Sequence, residues 1–134
     1  MKIETEEIKS LSSRIKGYSR EIKRLNVVIE IEVRQRAHIV WLGNQVAIFS
    51  GYNVKEAIGS KLPEMKRIRG LFFKFGLEHG MVGKLMGEYV GTKNPNTPSR
   101  IRSEFTQSFK KTPENKELYY RFKEFVNREP DTQN

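Results

Sequence analysis

Two groups of basic and short polar residues offer the most specific chemistry in this 134-residue chain. Lys66, Arg67 and Arg69 crowd together, and their cationic heads suit neutralising phosphate oxygens or reaching into the minor groove of a duplex. Lys93, Asn94, Asn96, Thr97 and Ser99 lie where a turn meets a new helix, so backbone N–H groups and short side chains there could hold phosphate or read base edges. Arg100 and Arg102 project from the helix that follows. Taken singly, each is an ordinary solvated group; their clustering carries the reading. The charge agrees, because residues 64–111 hold 10 basic and 4 acidic side chains, two-thirds of a net charge of +9. Such an excess points to a polyanionic partner, with a surface kept basic for solubility as the plainer alternative.

Other chemistries find little to work with. There is no cysteine, which removes disulfides, thiolate metal sites and cysteine nucleophiles and fits a reducing compartment. His38 and His79 form no helical His-x-x-x-His pair, so neither metal nor cofactor is expected. Glu4, Glu6 and Glu7 complement the positive end of a helix dipole. No serine sits in a nucleophile elbow, and Glu78 stands where a phosphate loop ending in Gly83-Lys84 would need its first glycine. The expectation is a binding protein without enzymatic activity or small-molecule substrate. A charged N-terminus and the lack of a long apolar stretch give no membrane span and an intracellular, cytoplasmic location.

Short helices must position the two groups. Asn53 is placed to cap a helix over Val54 to Ser60, which Pro63 stops. Glu64 to Glu78 reads as an amphipathic helix, with Met65, Ile68, Leu71, Phe72 and Phe75 inward and Lys66, Arg67, Arg69 and Lys74 elsewhere. Met81 to Val90 follows and stops at Gly91, whose lack of a side chain suits a left-handed position. After a turn, Thr97 caps a helix with Pro98 first and Ile101, Phe105 and Phe109 inward. The two helices around this turn outline a helix-turn-helix. Pro113 and Glu114 open a terminal helix to about Asn127, and residues 129–134 read as a disordered tail.

The first part of the chain has a different pattern. Ile8, Leu11, Ile15, Tyr18, Ile22, Leu25 and Ile29 recur at heptad positions a and d, with isoleucine at every a, a combination that favours two parallel strands. The expectation is a homodimer through this seam; an amphipathic helix packed on its own domain is the alternative. Val33, Ala37, Val40 and Trp41 offer a continuation displaced by one residue. Between 27 and 49 a hairpin competes, since Ile29, Ile31 and Val33 alternate with polar residues and Gly43-Asn44 could turn the chain. Helix is the preferred reading, to about Leu42, with a separate helical turn or two over Gln45 to Ser50. The fold class is therefore all-α: an N-terminal coiled-coil helix over 1–42 and a multi-helix domain over 43–128.

From about residue 44 to 128 this order of elements resembles the C-terminal DNA-binding domain of the bacterial replication initiator DnaA, a TrpR-like helical fold. In that family two short helices precede a basic segment, a long helix follows, and a helix-turn-helix carries a G-G-R-D-H-S-T-V type signature. Val46-Ala47 and Val54 to Ser60 resemble the first pair, Lys66, Arg67 and Arg69 the basic segment, and Gly70 to Gly76 the long helix. Within Gly87 to Pro98, the residues Gly87, Val90, Gly91, Lys93 and Thr97 agree with the signature, while Pro95, Asn96 and Pro98 depart from it. The resemblance implies the fold and double-stranded DNA as partner, without the ATPase part; because the departures fall at base-facing positions, it does not carry over recognition of the initiator's own sequence element. The expected function is a dimeric accessory protein of replication or transcription, of the kind a phage or mobile element carries. The alternative is a coiled-coil interaction module with an incidental basic face, with RNA binding as a lesser variant.

Overall fold

Nothing before Pro63 forbids a helix, since an interior glycine such as Gly17 or Gly43 costs only about 1 kcal/mol. The computed structural model describes residues 2–128, with side chains from Glu6 onward, so the tail expected at 129–134 lies outside the described residues. Helix α1 (Lys2–Ser50) is continuous, and the described residues contain six helices and no strand. The hairpin alternative is not taken, nor is the break expected after Leu42. Ile39, Leu42 and Val46 recur at helical spacing and are all buried, which holds the helix through Gly43. Gly43 itself packs against Tyr89, whose hydroxyl would lie 2.3 Å from an added Cβ. Along the displaced continuation, Val33 and Val40 are exposed as the seam itself is, and Trp41 is half-buried against the second unit's core.

The chain divides into two units, Met1–Arg34 and Gln35–Asn134. The second unit thus begins earlier than the boundary expected at 43, because Ile39 and Leu42 belong to its core. In the first unit, Ile8, Leu11, Ile15, Tyr18, Ile22, Leu25 and Ile29 are between 48% and 65% exposed, so the heptad seam has no apolar cover among the described residues.

In the second unit, α2 (Val54–Ala57) is capped by the Asn53 side chain, which accepts from the Lys55 N–H at 2.8 Å. The pair of short helices suggested by the resemblance reduces to this one, because Val46-Ala47 lies inside α1. Helix α2 ends at Ala57, short of the expected Ser60, so Pro63 does not stop it; Pro63 occupies the first turn of α3 (Pro63–Glu78), where its missing N–H is harmless. Helix α4 (Gly83–Val90) starts two residues later than expected; α5 (Thr97–Ser108) and α6 (Pro113–Arg128) complete the order. Every residue from Ile68 to Gly76 is buried, so α3 is the central helix, covered on more than one side. Phe72 and Phe73 are fully enclosed, each contributing roughly 2–3 kcal/mol by burial alone.

A helix enclosed in this way overturns the expectation that Lys74 sits on a solvated face. Lys74 is buried, and its Nζ donates to Glu78 Oε1 at 2.6 Å and to Thr106 Oγ1 at 2.9 Å, above the rings of Phe109 and Tyr119. The Tyr119 hydroxyl donates to the other Glu78 oxygen. This network joins α3, α5 and α6, and it satisfies a charge that burial would otherwise make costly.

Candidate nucleic-acid interface

The approach of α3 to α5 decides where the basic residues go. Gly70 lies against Phe105, whose ring and Cβ would be 2.3 to 2.8 Å from an added Cβ, so only glycine permits this contact. The close crossing sets the first turns of α3 beside the first turns of α5. Between them lies a cleft of about 600 Å³, lined by Lys66, Arg67, Arg69, Thr97, Arg100 and Glu104, with Ser108, Thr112 and Asn115 as further polar walls.

The start of α5 is fixed by the turn before it. Gly91, at φ 84°, takes the left-handed conformation that ends α4, with the Gly91 N–H donating to Glu88 O at 3.2 Å and the Thr92 N–H to Gly87 O at 2.9 Å. The Asn94 side chain then accepts from the Asn96 N–H at 2.9 Å, and Asn94 O accepts from the Thr97 N–H at 3.2 Å. Asn96, not Thr97, is the flanking residue, and it makes no side-chain cap. Thr97 and Pro98 are buried, because they seat the helix on the unit's interior.

The residues expected to act together fall into three sets. Lys66, Arg67, Arg69, Thr97 and Arg100 meet at the cleft, although three come from α3 and two from α5. Lys93 and Asn94 line a smaller groove of about 280 Å³ together with Lys84, which the sequence offers only as the end of an incomplete phosphate loop. Asn96 and Ser99 are exposed on the turn and the first turn of α5. Arg102 does not line either cavity; its charge acts on Glu78 and Tyr119 instead.

Within the first set the side chains differ in availability. Lys66 is exposed and Arg67 partly so, and neither forms an ion pair with a described residue. Arg100 pairs with Glu104 at 3.3 Å, both largely exposed, a contact worth only a few tenths of a kcal/mol (about 0.3–0.5). Arg69, expected to be a surface cation, is buried, and its Nη1 donates to Ala57 O and to Ser60 O, tying α3 to the end of α2. Burial and then the neighbouring Arg100 charge push its guanidinium below the ordinary value, while Glu104 works the other way. Glu104 and Asn115 were not singled out from sequence; the spacing of Arg100 and Glu104, one helical turn apart, was the available signal for the former.

Among the described residues there is no group of His, Asp or Glu side chains fit to hold a metal ion, and no helix long and apolar enough to cross a membrane. Compared with protein-family models, with characterised proteins and with solved structures, the chain matches none.

Proposed function

We propose that this chain is a double-stranded DNA-binding protein without catalytic activity, acting as a dimer in replication or transcription. The observation that carries the reading is the cleft: Arg100 of α5 joins Lys66, Arg67 and Arg69 of α3, at least 31 positions away in sequence, on one concave surface, with Asn96 and Ser99 exposed around the first turn of α5. A phosphate backbone needs cations arrayed along a groove, and base edges need short polar groups on an accessible helix end. Asn96, Ser99 and Arg100 supply the second requirement from α5. The order of α3, α4, turn and α5 is consistent with the resemblance to the DnaA C-terminal domain and with a helix-turn-helix role for α4 and α5. The exposed seam from Ile8 to Ile29 supports self-association, since a row of isoleucine and leucine side chains in water is stabilised by a matching row on a second copy.

The same seam favours the second reading, an interaction module whose partner is a different amphipathic helix. Electrophoretic mobility with random duplexes separates the two. Lys66→Ala with Arg67→Ala should weaken binding to every duplex, whereas Asn96→Ala with Arg100→Ala should act unevenly among sequences. Absence of duplex binding at low salt would leave the interaction module as the account.

A further inference from the structure

Arg69 is 8% exposed and has no ion pair with a described residue, yet it lines a cleft whose charged walls are mostly cationic. A buried charge left without a counter-charge is costly, so its surroundings call for an anion. Both hydrogens of Nη1 are committed, to Ala57 O and Ser60 O, which fixes the plane of the guanidinium. The other edge, Nε–H and Nη2–H, makes no hydrogen bond to a described residue, and neither atom is walled off from solvent. That edge is the fork that receives two oxygens of a carboxylate or phosphate side-on. Arg100 and Glu104 are near enough for their charges to act on Arg69, and Lys66 and Arg67 line the same cleft, so its charged walls are three cations besides Arg69 against Glu104. One carboxylate would satisfy the fork and leave the remaining cations unmatched; a phosphate monoester carries about −1.5 to −2 of charge, and a phosphodiester backbone carries a succession of single charges past the same cations.

We propose that the cleft is a phosphate-binding site, in which the Nε/Nη2 edge of Arg69 holds two phosphate oxygens and Arg100 exchanges Glu104 for the phosphate charge. The site deepens the function proposed above and rests on that reading only for the source of the phosphate, which is either a DNA backbone or the phosphoryl group of a free small molecule. The weak, exposed pair between Arg100 and Glu104 is what makes the exchange possible.

Titration of the full chain with inorganic phosphate at constant ionic strength, against chloride, tests the site through the rise in Tm. A saturable rise with phosphate and none with chloride is expected. Arg69→Lys keeps a charge and donors for the two carbonyls but lacks the planar fork, so it should weaken phosphate at least about tenfold. Should that variant fail to fold, Arg100→Gln, on an exposed side chain, should still weaken phosphate severalfold. An equal response to chloride, or wild-type phosphate binding in both variants, overturns the site. Phosphate that displaces duplex DNA identifies the backbone as the source; phosphate that binds while duplex binding is undiminished identifies a free phosphorylated ligand. If no duplex binds but phosphate does, the proposed function fails and the site stands. If duplex binds but phosphate does not, and neither variant alters duplex binding, the site fails and the function stands.

Discussion

Replacing Gly70 by alanine should destabilise the second unit, although alanine is the better helix former. The gain is the usual one for an interior helical glycine, about 1 kcal/mol. Against it, the new Cβ would lie 2.3 Å from Phe105 Cδ1, 2.4 Å from Cγ and 2.8 Å from Cβ. Turning the ring relieves the first contact but not the last, because the Phe105 Cβ is fixed to α5. The ring is also held, with edge contacts to Phe109 at 5.2 Å and to Tyr119 at 6.3 Å. Helix α5 must therefore move, and overpacking of this kind costs typically about 1–3 kcal/mol, toward the upper end here because the clash includes a backbone-fixed atom. The net loss should be roughly 1–2 kcal/mol, a fall in Tm of about 5–15 °C for a unit of this size. Gly17→Ala is the control, since an added Cβ there meets nothing within 4 Å, and it should raise helicity. Thermal melts followed by circular dichroism read both. A neutral or stabilising Gly70→Ala would mean that α3 and α5 do not approach as described, and the cleft between them would lose its basis.

Three further outcomes follow from the same structure. Burial alone would raise the Glu78 carboxyl, but hydrogen bonds from Lys74 and Tyr119 and the Lys74 charge outweigh it and hold the group below the ordinary carboxylate value. The stability it contributes is therefore complete above that ordinary value and lost as pH falls through the lower folded value, so acid melts of Glu78→Gln should lose less on acidification than wild type. Ile15→Asp with Ile22→Asp should turn a dimer into monomers by sedimentation, because charges at a positions are costly to desolvate; a wild-type monomer at high concentration would remove the dimer. Lys66→Ala with Arg67→Ala should leave stability within about 0.5 kcal/mol of wild type, since neither side chain pairs with a described residue, and a large loss would give them a packing role instead.

Much of the helical order was legible because its punctuation is local. Asn53 caps α2, Gly91 ends α4 in a left-handed conformation, and the Pro98 and Pro113 positions open helices, each from chemistry contained within a few residues. Gly43 misled for the opposite reason: it reads as a breaker, but its missing side chain admits Tyr89 from 46 positions away. Arg69 and Lys74 misled likewise. Helical periodicity assigns them to a polar face, whereas α2, α4, α5 and α6 cover α3 from several directions and convert both cations into buried ties. Their place inside the otherwise apolar run Ile68 to Gly76 was the trace left in the sequence. The joining of Lys66 and Arg67 to Arg100 depends on the Gly70–Phe105 crossing, which no local pattern contains.

If duplex DNA occupies the cationic cleft, as we propose, the affinity of the full chain for duplex DNA must respond to salt in a defined way. Backbone contacts displace condensed counterions, so log affinity should fall linearly with log salt, with a slope of about −0.9 for each phosphate engaged. Lys66→Ala with Arg67→Ala should make that slope shallower by close to the two contacts removed. Binding that ignores salt, a slope unchanged in the double variant, or no duplex binding at low salt would contradict the account.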